Sequence, residues 1–183
     1  MSEYGAGANV YQHEQNPRKP KNDGQWHPEE YQGVLHEKAW AELKSAPYIW
    51  GTFVWCMFDF TSYWRHEGGV VGRNDKGLVT ADRKIRKDAF YFYKANWSDE
   101  PVLYITSRRD TDRTNAVTDV KLYSNATEAE VSINGVSQGT QHNDGNGVIL
   151  WKSLKLTPGK NTIDAHARWN GQSLADHCEW NLR

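Results

Sequence analysis

Hydrophobic and polar positions change their spacing twice along this chain. Tyr31, Val34, Leu35, Ala39, Leu43 and Ala46 recur every three or four residues, which predicts one apolar face of an α-helix. Pro28 suits a first helical turn, Glu29 and Glu30 complement the positive N-terminal dipole, and Pro47 stops the helix. The next stretch, Tyr48-Ile49-Trp50-Gly51-Thr52-Phe53-Val54-Trp55, is apolar without alternation. It is too short for a helix and rich in β-formers, so it predicts a strand buried on both faces, as in a parallel sheet. Ahead of the helix, a short strand end leads into Asn16-Pro17-Arg18-Lys19-Pro20-Lys21-Asn22-Asp23-Gly24, a loop dense in turn formers. After a polar loop, residues 84–97 predict a second amphipathic helix with Ile85, Ala89, Phe92 and Tyr93 on one side.

The pattern changes again near Ser98-Asp99-Glu100-Pro101. Beyond it, short strands are predicted at 102–105, 120–123, 129–133, 148–151, 161–167 and 178–182. Asn134-Gly135 is a hairpin turn signal, and Pro158-Gly159-Lys160-Asn161 is a second turn. Strands at about ten-residue intervals predict an immunoglobulin-like β-sandwich over 98–183, with Val131, Ile133, Trp151, Ile163 and Trp180 facing its core. The first part, strand–loop–helix–strand–helix, predicts the last βα units of a (β/α)8 barrel over 1–97; a complete barrel takes about 250 residues. The fold class is therefore α/β plus all-β, in two domains. An unclosed barrel end leaves strand edges bare, so association through them, with a complementary chain or with a second copy as a homo-oligomer, is expected.

Composition narrows the chemistry. Nine Trp, nine Tyr and five Phe make the apolar content aromatic, which suits stacking on sugar rings as well as core filling. A net charge of -1 offers no electrostatic footprint for nucleic acid or an anionic membrane, and no apolar run reaches the roughly 20 residues of a membrane span. Cys56 and Cys178 lie far apart without metal-ligand spacing, and a disulfide between them is not expected. The dipeptides His13-Glu14, His36-Glu37 and His66-Glu67 are not followed by a second His at helical zinc-site spacing, and are expected to be solvated.

Three segments carry a more specific signal. Ser2-Glu3-Tyr4-Gly5, then Phe53-Val54-Trp55, then Asn74-Asp75-Lys76-Gly77-Leu78-Val79-Thr80-Ala81-Asp82-Arg83 together resemble the end of the catalytic barrel of glycoside hydrolase family 2, the β-galactosidases, β-glucuronidases and β-mannosidases. In the second half, Val120 to Asn125, Val131 to Gly135, Trp151 and Gly159-Lys160-Asn161 resemble the small sandwich domain that follows the barrel in many bacterial β-galactosidases of that family.

The resemblance implies a retaining glycosidase, which uses one carboxyl group as nucleophile and another as acid/base, about 5–5.5 Å apart. It implies that Glu3 is the nucleophile, that Trp55 forms a floor under the sugar, and that Asn74 and Lys76 bind substrate. The Asn-x-Lys pair suits the carboxylate of a glucuronide but also stands in galactosidase relatives, and the sandwich domain favours terminal β-galactosides. Asp82 and Arg83 are expected to tie the last helix to the barrel. Neither cofactor nor metal is implied. The partners are a β-linked carbohydrate and the remainder of the parent enzyme, in the periplasm or cytoplasm of a bacterium. No residue here matches the acid/base, so the chain is expected to be a C-terminal portion that is inactive alone; the alternative is a non-catalytic structural or carbohydrate-binding module. Gly5-Ala6-Gly7-Ala8 stands where the best-known β-galactosidases carry a His after the nucleophile's Tyr, so their ion-binding details are not transferred.

Overall fold

The computed structural model describes residues 3–183. The chain divides into two compact units, one ending at Phe90 and the other running Tyr91–Arg183. The division falls within a helix, whereas composition suggested 97/98.

The first unit holds one long helix, α1 (Glu29–Ser45), two short strands, β1 (Phe60–Thr61) and β2 (Arg73–Asn74), and the start of α2 (Asp88–Trp97). α1 has the expected bounds but not the expected face. Of the six predicted apolar positions only Leu43 is buried, and Glu29, Gln32, Gly33 and His36 are buried with it. The reason is what the helix covers: not a side-chain core but the backbone of neighbouring extended segments. Gln32 Nε2 donates to the carbonyls of Ala6 (2.8 Å) and Gly77 (3.2 Å), and Glu29 Oε1 accepts the Asp88 N–H (2.9 Å). Polar side chains satisfy those backbone groups where apolar ones cannot.

The predicted strand over 48–55 is not formed. Only Val54 makes a ladder contact, a parallel bridge to Tyr4, while Tyr48, Trp50 and Phe53 are 83%, 95% and 66% exposed. A strand buried on both faces needs cover on each, and among the described residues Tyr48, Trp50 and Phe53 have little. The second helix also starts later than expected, at Asp88; Ile85 lies in the preceding turn, where its carbonyl accepts the Thr80 N–H (2.9 Å).

The second unit is a two-sheet β structure. Its strands are β3 (Leu103–Ile105), β4 (Asp112–Arg113), β5 (Val117–Ser124), β6 (Glu128–Ile133), β7 (Val136–His142), β8 (Val148–Lys155), β9 (Gly159–Trp169) and β10 (Gln172–Leu182). They form one sheet ordered β4-β10-β9-β6-β7 and another ordered β3-β5-β8. Inward residues of both sheets share one core that includes Val131, Ile133, Trp151, Ile163 and Trp180. The β6–β7 hairpin turns on Asn134 (φ 52°) and Gly135 (φ 76°), the paired left-handed conformation that an Asn-Gly turn supplies. β7 was missed because nearly all its side chains are exposed, leaving no apolar alternation to read. β9 and β10 are longer than expected, since they continue as one hairpin to Asn170-Gly171.

Trp180 is 1% exposed beneath the Arg113 guanidinium, whose carbon lies 3.9 Å from the ring centroid. Trp180→Ala should destabilise this unit by about 3–5 kcal/mol through lost burial and the cavity left behind, measurable as a lowered urea midpoint for the loss of the far-ultraviolet β signal.

Candidate functional site

The first unit is knitted by backbone hydrogen bonds between short parallel segments rather than by long strands. Tyr4 N–H donates to Phe53 O (3.2 Å) and Trp55 N–H to Tyr4 O (2.7 Å), so residues 3–4 run beside 53–55. One step further, Cys56 N–H donates to Lys76 O (3.2 Å) and Leu78 N–H to Cys56 O (2.9 Å), so 56–58 run beside 76–79. Glu3, Trp55 and Lys76 are thus brought onto adjacent segments, and Asn74 adjoins them in β2. Glu3 is exposed. Trp55 is 41% exposed and meets Phe60 edge-on, with ring centroids 6.0 Å apart. Asn74 is buried, and its Oδ1 accepts the Lys76 N–H (3.1 Å).

Close approach of these segments demands glycine. A Cβ on Gly5 would collide with the Trp55 carbonyl, and one on Gly77 with the Asp59 backbone. This gives Gly5 a packing role in holding 3–5 against 53–55.

Beneath the segments lies a buried charge network that the sequence did not announce. Lys87, fully buried, donates from Nζ to Ala8 O (2.7 Å), Asp59 Oδ1 (2.8 Å) and Asp75 O (2.9 Å). Burial pushes the Asp59 carboxyl upward, opposed by the Lys87 charge and hydrogen bond. His27 Nδ1 lies 2.7 Å from Asp75 Oδ2 and its Nε2 3.0 Å from Lys21 O. A carbonyl and a carboxylate only accept, so both ring nitrogens carry protons there. Burial works against that charge, but the Asp75 hydrogen bond and charge outweigh it, and the His27 pKa is raised.

Two members of the His-Glu dipeptides prove not to be solvated. His36 is completely buried, which lowers its pKa to about 3, and Glu67 is 1% exposed. Glu67 Oε1 and Oε2 each accept from Lys76 Nζ at 2.8 Å, and Oε1 also accepts from Arg65 NH1 at 2.6 Å. Asp82 serves its own turn, whereas Arg83 reaches the neighbouring 56–58 segment. Asp82 Oδ1 accepts from Thr80 Oγ1 (2.6 Å) and the Lys84 N–H (3.1 Å), and Arg83 stacks over Phe58 with its guanidinium carbon 3.7 Å from the ring centroid.

The histidines imply opposite pH limbs. An unfolded His36 binds a proton near pH 6.5 while the buried one does not, so stability should fall steadily as pH drops from 6.5 toward 3. His27 contributes stability that is fully present below pH 6.5 and lost as pH rises through its raised folded value. Thermal midpoints across pH should flatten on the acid side in His36→Leu and on the alkaline side in His27→Gln.

Neither cysteine is in a disulfide, and no group of His, Cys, Asp and Glu able to hold a metal ion occurs among the described residues. No helix among them is long and apolar enough to cross a membrane.

Residues 115–175 match a family described as a domain of unknown function, DUF4982. A β-glucuronidase of Bacteroides fragilis is 48% identical over 164 residues, covering 89% of this chain and 24% of that protein. β-Galactosidase BoGH2A of Bacteroides ovatus is 27% identical, covering 79% of this chain and 17% of that protein. A crystal structure of a putative β-galactosidase from Bacteroides fragilis superposes with a TM-score of 0.92 at 39% identity, over 100% of this chain and 27% of that one. The chain therefore spans about a quarter or less of the length of these relatives. Its homologues are β-glucuronidases and β-galactosidases of the glycoside hydrolase family 2 type, and it is similar to one part of their length.

Proposed function

We propose that the chain is the C-terminal part of a retaining β-glycosidase acting on terminal β-D-galactosides. In this reading the first domain is the end of the catalytic barrel and the second an immunoglobulin-like sandwich. Glu3 is the nucleophile, Trp55 the floor beneath the sugar, and Asn74 and Lys76 polar contacts to it. The observation that carries the proposal is the backbone ladder that brings 3–4, 53–55 and 76–79 side by side. It supports a shared site for residues that are far apart in sequence. The exposed faces of Tyr48, Trp50 and Phe53 are the surface that the remaining barrel covers. The acid/base comes from that remainder, because both carboxyl groups are needed for the two-step displacement.

A β-glucuronide substrate is the second reading, favoured by the name of the Bacteroides fragilis relative and by the Asn74/Lys76 pair. The test is Glu3→Gln in the complete enzyme, assayed with 4-nitrophenyl β-D-galactoside and β-D-glucuronide. Loss of turnover on whichever substrate the enzyme takes supports the nucleophile, and the preferred substrate decides between the readings.

A further inference from the structure

We infer that Glu67 is a positioning residue that sets substrate preference: by holding the Lys76 ammonium on its own carboxylate, it turns the Asn74/Lys76 pair away from acidic sugars and toward neutral ones. This rests on the proposal that Asn74 and Lys76 face the sugar.

Glu67 is a fixed anion. It opens a short 3-10 turn, Glu67–Gly69, that its surroundings pin. Gly68 O accepts from Asn9 Nδ2 (2.6 Å) and Gln12 Nε2 (3.2 Å), and Gly68 N–H donates to Gly24 O (3.3 Å). Gly68 has φ 59°, and a Cβ there would collide with Asp75 Oδ2, so the turn is closed against the segment that carries Asn74 and Lys76. The buried carboxylate cannot swing out to water as a surface glutamate would.

Lys76 is committed to that anion. An ammonium has three N–H donors, and both Glu67 oxygens lie 2.8 Å from Nζ. What remains suits one hydroxyl of a neutral sugar. A substrate carboxylate placed against the same ammonium would stand beside the Glu67 charge, and like charges in a partly desolvated site repel. Arg65, half exposed, also donates to Glu67 Oε1 and offsets part of its charge, but both Glu67 oxygens still hold Lys76.

Glu67→Gln keeps the shape and removes the charge. In the complete enzyme it should raise the ratio of kcat/KM for 4-nitrophenyl β-D-glucuronide over the β-D-galactoside by tenfold or more. The gain should appear as a lower KM for the glucuronide, with kcat for the galactoside changed less than threefold. The double variant Glu67→Gln, Lys76→Ala should lose the gain, because the effect runs through Lys76. Glu67→Asp, which retains the charge but draws it back by one methylene, should raise the ratio by less and serves if the glutamine variant does not fold. An unchanged or lowered ratio in the glutamine variant overturns the inference, as does a gain that survives Lys76→Ala. If Lys76→Ala alone leaves both substrates unaffected, Lys76 does not face the sugar and the inference falls with that placement. Turnover that persists in Glu3→Gln instead overturns the nucleophile assignment, and the substrate ratio still reports on Glu67.

Discussion

On the proposed role of Glu3 as nucleophile, Glu3→Gln in the complete enzyme is expected to remove turnover of aryl β-glycosides by a factor of roughly 10⁴ or more while leaving the fold intact. A carboxylate attacks the anomeric carbon to form the glycosyl intermediate, and the amide that replaces it is no nucleophile at all. The cost should be confined to chemistry, because Glu3 is exposed and glutamine has its shape. The ladder that positions it is made by the backbone of Tyr4 with Phe53 and Trp55, which the substitution does not touch. Circular dichroism and thermal midpoint should therefore match the unsubstituted enzyme. On the proposed assignment of Glu3 as nucleophile and of the acid/base to the remainder of the enzyme, the 183-residue chain by itself should give no turnover on the same substrates. Robust hydrolysis by the isolated chain, lost on Glu3→Gln, would show that the second carboxyl group lies within these residues.

Lys87→Met is expected to destabilise the first unit by about 3–5 kcal/mol. The ammonium is completely buried and is the shared donor for Asp59 and for the carbonyls of Ala8 and Asp75. Methionine fills much of the same volume, so the loss is electrostatic rather than steric: a buried carboxylate without its partner and two carbonyls without this donor. Those carbonyls belong to the segments around Ala8 and Asp75, so the ladder beside Lys76 should loosen too. Chemical denaturation should show a lowered midpoint for this unit, and Asp59→Asn on the Lys87→Met background should recover part of the loss by removing the orphaned charge. A Lys87→Met protein as stable as the unsubstituted one would mean that water or a neighbouring group satisfies Asp59.

The two halves were legible to different degrees, and the reason is periodicity. In the β unit, alternation along β5, β6, β8, β9 and β10 marks the inward face, and the core contains the five residues that alternation names. Strand boundaries are not legible where alternation is absent. β7 is exposed along its length, and Asn170-Gly171 carries the same turn chemistry as Asn134-Gly135. In the first unit, α1 was placed by its spacing, Pro28 and Pro47, but its buried face was misread. A helix that covers backbone buries Glu29 and Gln32, and no apolar count detects that.

The candidate site divides in the same way. Glu3, Trp55, Asn74 and Lys76 are candidates only through the family resemblance that their short motifs carry. Glu67, Asp59, Asp75, His27 and Lys87 are not candidates in the sequence, since a charged residue reads as solvated until its partners are known. The Lys87 and Asp59 side chains are 28 positions apart in sequence and those of His27 and Asp75 are 48 apart. The sequence by itself determined where helix, turns and alternating strands begin, because propensity and period act over a few residues. Only the tertiary structure decided which charges are buried and paired, because that depends on segments distant in the chain meeting closely enough to exclude water.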